Sequence, residues 1–325
     1  MDTKNNFTVS VVMCTYNGEK YIREQIDSIL QQTYSVDEII IQDDCSTDGT
    51  CEVLYEYQQR YSQIQVIRNK RNIGINPNFF SAIARAKGDY IAIADQDDIW
   101  ELDKIELQLK FIGDKLLCPG RTTPFSTDGS AVRVDGREPN ISLLRQMFIG
   151  TIAGHTILFH RNLLGGVNID EITTVGMYDS LLSMLAMAHN SVVFIDRTIV
   201  RQRRYSSAAT YNVPTDNQMT ILNIIKNIKQ TWKYNKRLKP EIRRRLSITL
   251  NFLENINSQE KILKEAIRML QLYISPSSID FIRLIWFCIC HKEQLFYPRY
   301  PKKGLISVLR AAYFPISLSE YYRYL

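Results

Sequence analysis

Tyr90-Ile91-Ala92-Ile93-Ala94-Asp95-Gln96-Asp97-Asp98-Ile99-Trp100 decides how the rest of the chain is read. A run of apolar residues without polar alternation describes a strand covered on both faces. The three carboxylates that follow repel one another unless a cation offsets them. Alternate residues of an extended segment point the same way, so Asp95 and Asp97 can reach one ion. Ligation by oxygen alone suits Mg2+ or Mn2+, with phosphate oxygens completing the shell. A solvated acidic turn is the plain alternative; the place at the end of a buried strand, ahead of the apolar Ile99-Trp100, favours the ion.

Outward from that strand the pattern alternates. Phe7–Thr15 reads as a strand ending at the turn Tyr16-Asn17-Gly18, and Tyr21, Ile22, Ile26, Ile29 and Leu30 predict an amphipathic helix over about 19–32. Glu38–Gln42 and Ile64–Arg68 read as further strands. Helices are expected from about Thr47 or Thr50 to Tyr61 and over Asn78–Ala86, the latter closed by Gly88 as a C-cap. Beyond the opening strand, a helix is expected over Asp103–Leu116, a strand pair or long loop over 118–138, and a strand at His155–His160. A helix over Tyr178–Ala188 and strands at Val192–Ile195 and Thr198–Arg203 complete this part. Such alternation predicts an α/β fold, a doubly wound and mostly parallel sheet whose ligands bind at the carboxyl ends of its strands.

The informative residues fall at those ends. Asp43-Asp44-Cys45-Ser46-Thr47-Asp48-Gly49 follows the second strand. A carboxylate there can accept hydrogen bonds from a uracil-type imide or from ribose hydroxyls. Ser46, Thr47 or Asp48 can equally cap the next helix, and both readings hold together. Asp179 opens a helix, where a lone Asp is most often a cap or first-turn charge.

Read together, Val11-Val12-Met13-Cys14-Thr15-Tyr16-Asn17-Gly18, Asp43-Asp44-Cys45-Ser46-Thr47-Asp48-Gly49-Thr50, Asn72-Ile73-Gly74 and Asp95-Gln96-Asp97-Asp98-Ile99-Trp100 resemble family 2 glycosyltransferases with the GT-A fold, in the rhamnosyltransferase-like branch of bacterial surface polysaccharide synthesis. The resemblance covers residues 7–212. It implies an inverting transferase that moves a hexosyl or deoxyhexosyl group from a UDP- or dTDP-sugar to a glycan or lipid-linked saccharide. Thr15, Tyr16, Asn17, Asp43, Asp44, Asn72, Gly74 and Asp95 would line the donor nucleotide site, with Arg71 near the phosphates. Asp97 would hold Mn2+ or Mg2+, with Asp95 the second candidate, and Asp179 would be the general base. Relatives carry a His in the segment that here reads Arg203-Arg204-Tyr205-Ser206-Ser207-Ala208-Ala209-Thr210, so Tyr205 stands in its place. A phenol is a poor ligand for a hard cation near neutral pH. Arg203 and Arg204 would then take more of the diphosphate charge, or the chain is a degenerate relative that binds a glycan or a partner without turnover.

Charge divides the chain near Val213. Residues 1–212 hold 21 Lys+Arg against 26 Asp+Glu, and 213–325 hold 19 against 8, within a formal total of +6. The expected domains are therefore a catalytic domain over 1–212 and a basic helical extension over 213–325. Such a tail suits an anionic partner, the inner membrane surface with Ile285, Trp286 and Phe287 inserted, or packs as a solvated helical face. Its cations interleave with aliphatics rather than with stacking aromatics, which speaks against nucleic acid. The 6 cysteines are irregularly spaced and follow no secretory signal, so free thiols in the cytoplasm are expected. Cys288-Ile289-Cys290-His291 fits no common zinc spacing, and His155 and His160 read as structural, with His155 near the acceptor cleft. No Gly-rich dinucleotide or P-loop motif occurs.

Overall fold

The computed structural model describes residues 7–132, 134, 136, 139–167, 176–206, 221–296, 304–320 and 322, with the backbone alone for 221–227. These form two compact units, one drawn from 1–134, 152–186 and 191–214, the other from 135–151, 187–190 and 215–325. The expected boundary near Val213 lies outside the described residues, as do residues 207–210 after Tyr205.

The first unit is built on parallel strands. β1 (Val9–Thr15), α1 (Ile22–Leu30), β2 (Glu38–Asp43), α2 (Thr50–Arg60), β3 (Ile64–Arg68), α3 (Ile75–Ile83) and β4 (Tyr90–Ala94) alternate as the periodicity implies. β5 (Ile99–Trp100), α4 (Lys104–Ile112), β6 (Leu117–Cys118), β7 (Gly120–Ser126), β8 (Leu158–His160), α6 (Tyr178–Ala188) and β9 (Ile195–Arg204) follow, with α5 (Leu143–Gln146), between β7 and β8 in sequence, belonging to the other unit. One sheet has the order β3-β2-β1-β4-β8-β6, a smaller one β5-β9-β7. β1 pairs in parallel with both β2 and β4, so the strand order reverses beside β1. That reversal opens a crevice at the strands' carboxyl ends.

Burial explains the unbroken apolar runs. Val9, Val11 and Met13 of β1 and Ile39 and Ile41 of β2 share one core with Ile22, Ile26 and Ile29 of α1, Leu54 and Tyr57 of α2, and Ile105 of α4. The alternating Val12, Ile40 and Ile93 are equally buried on the opposite side, where Phe79, Phe80 and Ile83 of α3 pack.

Several expectations shift. α3 ends at Ile83 with Ala84 as its cap, so Gly88 is no C-cap. Gly88 N–H instead donates to Ser10 Oγ at 2.7 Å, and a Cβ there would strike the Ser10 backbone. The strand expected at His155–His160 begins at Leu158, because Gly154–Thr156 coil into a single 3₁₀ turn. The two strands expected after α6 are one, β9, with Val192 making only an isolated bridge to Leu117.

The second unit is helical: α5, then α7 (Ile221–Glu254), α8 (Lys261–Ile274), α9 (Ser278–Cys290), α10 (Lys292–Leu295) and α11 (Leu305–Ser317). Leu246, Leu253, Met269, Leu270, Leu284 and Phe314 are buried in it. The segment before α5 is tied in by Asn140 Nδ2, which donates to the carbonyls of Gln294 (2.9 Å) and Phe296 (2.7 Å). No helix among the described residues is long and apolar enough to cross a membrane.

Candidate active site

The loops after β1, β2 and β4 are stitched to one another by short polar side chains. Asn17 adopts φ 50° and accepts from Thr47 N at 2.8 Å, while its own N–H donates to Ser46 Oγ at 2.9 Å. Gln96 accepts from Tyr16 N at 2.9 Å and donates to Tyr16 O at 3.1 Å. The Tyr16 ring is left 48% exposed, a surface on which a base can stack.

Asp43 and Asp44 divide their tasks. Asp43 is fully buried and accepts from Thr15 Oγ1 (3.0 Å), Ser46 N (2.9 Å), Ser46 Oγ (2.5 Å) and Cys51 Sγ (3.3 Å), with Arg68 Nε 3.8 Å away. A carboxylate has about four acceptor positions, so Asp43 has none to spare. Asp44 accepts from Asn69 Nδ2, Ile73 N and Gly74 N, each at 2.8 Å, which leaves it one. These bonds fix the Asn72-Ile73-Gly74 segment, where Gly74 takes φ 86°, ψ 165° as the residue capping α3. Arg71 is exposed.

The acidic loop after β4 meets a histidine. His155 Nδ1 lies 3.1 Å from Asp95 Oδ2 and 3.4 Å from Asp98 Oδ2, and the ring is buried. Burial alone lowers the His155 pKa, but the Asp98 and Asp95 carboxylates outweigh it and raise it. Burial likewise pushes Asp98 up, with His155 opposing and Asp95 and Asp97 adding. Asp95, Asp98 and His155 offer ligand atoms all within 4.8 Å of one another. Asp98 Oδ2 and His155 Nε2 are buried with no hydrogen-bond partner among the described residues. Two carboxylates and an imidazole with unsatisfied atoms fit a Mn2+- or Mg2+-type ion.

Asp97, the first choice from sequence, faces a different neighbour. Its Oδ2 accepts from Tyr205 Oη at 2.7 Å. Burial raises the pKa of both groups, and the Asp97 charge raises that of Tyr205 further. Arg203 is buried at the end of β9. Its backbone N–H donates to Asp98 Oδ1 (2.9 Å), its Nε to Asp97 O (2.9 Å), and its Nη2 pairs with Glu24 at 2.9 Å. The guanidinium lies against the Tyr21 and Phe125 rings, 4.4 and 4.7 Å from their centroids. Arg203 therefore clamps the acidic loop from behind, and Arg204, half-buried, follows it.

Asp179 is presented by α6. Asn76 Oδ1 accepts from Tyr178 N (2.7 Å) and Asn76 Nδ2 donates to Gly176 O (2.6 Å), so α3 holds the start of that helix. The Tyr178 ring stacks on Phe79 with centroids 3.9 Å apart. Burial raises the Asp179 pKa, a hydrogen bond from Ser180 N opposes this, and the charge of Asp95 adds to it. Sequence reasoning missed Asp98 and His155 as partners. The signal was the antiparallel pairing of β8 with β4, which sets Leu158 opposite Ala92 and so brings the preceding turn beside Asp95.

Residues 10–165 match the family described as glycosyl transferase family 2. TuaG of Bacillus subtilis (strain 168), which carries a provisional name as a teichuronic acid biosynthesis glycosyltransferase, is 33% identical over 181 residues, 54% of this chain and 71% of TuaG. Residues 1–349 of S. aureus TarS, crystallised with UDP-GlcNAc, superpose with a TM-score of 0.56 at 16% identity, covering 98% of this chain and 92% of that one. The mannosyltransferase PcManGT of Pyrobaculum calidifontis, in complex with GDP-Man and Mn2+, gives 0.50 at 18%, covering 99% and 83%. At these identities the two structures speak to the fold, a GT-A layout.

Proposed function

The chain belongs to glycosyl transferase family 2, and from that premise we propose that it moves a hexosyl or deoxyhexosyl group from a UDP- or dTDP-sugar to a hydroxyl of a glycan or lipid-linked saccharide, with inversion, in bacterial surface polysaccharide synthesis. The observation that carries this is the grouping of Asp95, Asp98 and His155 at the carboxyl end of β4, with Asp179 close enough for Asp95 to raise its pKa.

The remaining acceptor position of Asp44 takes a base imide, and the exposed Tyr16 ring stacks on the base. Asp95, Asp98 and His155 hold the divalent ion, with Asp97 beside them for the ribose or the ion. When bound, such an ion offsets the charge of the departing diphosphate. Asp179 orients the acceptor hydroxyl and takes its proton as the new bond to the anomeric carbon forms and the bond to the diphosphate oxygen breaks. Burial raises the proton affinity of that carboxylate, which strengthens it as a base. Arg203 does not reach the diphosphate in this account, because Glu24 and the Asp97 carbonyl engage it.

The test is calorimetry with UDP, dTDP and GDP, each with and without Mn2+, on the wild type, Asp95→Ala and Asp97→Ala. Binding of one pyrimidine nucleotide that requires Mn2+ and is lost in Asp95→Ala is expected. A second reading, a non-catalytic binder, is favoured by the Tyr205–Asp97 hydrogen bond. Donor hydrolysis unchanged by Asp97→Ala, or no nucleotide binding under any condition, would put it first.

A further inference from the structure

α7 carries its charge on one side. Ile228, Lys229, Trp232, Lys233, Lys236 and Arg237 are exposed and recur at the spacing that aligns side chains along one helical face. Between Asp216 and Glu241 the sequence holds 6 Lys and Arg residues and no carboxylate. Glu241, the first acid beyond, is taken by Arg244 (2.8 Å) and Arg245 (2.9 Å). Lys229, Lys233, Lys236 and Arg237 have no ion-pair partner among the described residues.

α9 and α11 add the apolar half. Ile279, Ile282 and Trp286 on α9, and Leu305, Ile306 and Leu309 on α11, are all between 57% and 73% exposed. Each helix buries its other side, Leu284 and Cys288 on α9 and Ala311 and Phe314 on α11. Large aliphatic side chains on the solvent side invert the usual surface helix. The three helices adjoin. Lys239 of α7 stands 5.3 Å from the Phe281 ring centroid of α9, Arg243 donates to Ser275 O at 2.6 Å, and α11 packs on both α7 and α9. The face differs from the one expected from sequence: Trp286 is exposed, but Phe287 stacks on His291 with centroids 4.0 Å apart, and Ile285 is half-buried.

We propose that this part of the second unit docks on a bilayer surface containing anionic phospholipid. The α7 cations meet the headgroups, and the α9 and α11 side chains enter the boundary between headgroups and acyl chains. Charge decides among occupants. A second copy of the chain would set an unpaired cationic stripe against its twin in an isologous contact. Single-stranded nucleic acid would use the cations but not the five aliphatic side chains, since bases stack on rings. A bilayer uses both at once.

The experiment sediments the full chain with phosphatidylcholine vesicles, with and without phosphatidylglycerol, at low and at moderate salt. Binding is expected to the anionic vesicles only and to weaken with salt. The triple change Lys229→Glu, Lys233→Glu, Lys236→Glu should lower the partition coefficient on the order of a hundredfold. Ile282→Asp with Leu309→Asp should lower it comparably and abolish quenching of tryptophan fluorescence by brominated acyl chains. All five positions are solvent-facing or half-exposed on formed helices, and unchanged melting and nucleotide titrations separate lost docking from lost fold or lost donor binding. No sedimentation with anionic vesicles at low salt would overturn the proposal. So would equal binding to both vesicle types, or self-association that buries Trp286 and leaves its fluorescence indifferent to lipid.

Discussion

Asp43 and Asp44 are neighbours in sequence and chemically alike, yet one has every acceptor position engaged within the fold and the other keeps one open, the position proposed for the base. The same distinction frames Asp179, whose carboxylate is raised by burial and lies at the head of α6. Asp179→Asn should lower kcat by about 10² to 10⁴ while leaving the nucleotide Kd unchanged, because only proton transfer is removed; steady-state kinetics with parallel calorimetry checks this. Lys104 is a buried cation outside the site. Its Nζ lies 4.0 Å from the Trp100 ring centroid and donates to Gln108 Oε1 at 2.8 Å, and burial pushes its pKa down to about 7. In the unfolded chain it is an ordinary lysine, so between pH about 7 and about 10 the unfolded state holds a proton that the folded state has released. The contribution of Lys104 to stability therefore rises with pH across that window and is lowest below it, where a charge must stay buried. Lys104→Met should flatten the rise of melting temperature from mildly acidic to mildly alkaline pH; a slope equal to the wild type would remove this account.

Elements were legible wherever one period ruled. β3, β4 and the helix α6 fall on the residues that the apolar pattern marks: β4 is buried at every position, and β3, though an edge strand with exposed Gln65, is a short β-branched run. Glycine was less legible, since its chemistry is silent: Gly88 is required by the approach of Ser10, Gly74 by its φ of 86°. At Gly74 any side chain must adopt a conformation that is almost confined to glycine, even though the space beyond is open. Gly74→Ala should cost about 1 to 3 kcal/mol and weaken nucleotide binding by loosening the Asp44 contacts, as read by denaturant unfolding beside calorimetry. The site was legible as motifs at strand ends but not as a set. Tyr16, Asp44 and Asp95 announce themselves, whereas His155 reaches Asp95 only through the antiparallel strand β8, 60 residues away in sequence. A single sequence carries the residue type but not the pairing that delivers it.

For the whole molecule, the charge asymmetry visible in the sequence now has a surface, the cationic stripe of α7 beside the apolar α9 and α11. All 6 cysteines are free thiols. Burial pushes Cys118 and Cys288 up to about 12, while Cys290 is exposed. A thiol reagent should label Cys290 first and Cys118 and Cys288 only on unfolding, with mass mapping as the readout; early loss of Cys288 would contradict the packing of α9. One smaller feature reaches across the first unit. The Gln96 amide meets both the N–H and the carbonyl of Tyr16, as one base meets another across a duplex. These two bonds tie the loop proposed to face the nucleobase to the loop that bears the acidic cluster. Under the proposed function, nucleotide and ion are expected to act as heterotropic ligands, each tightening the other by the same factor. Gln96→Ala should weaken that coupling without abolishing it, since the phosphates still complete the ion's shell, as read by nucleotide titrations with and without Mn2+.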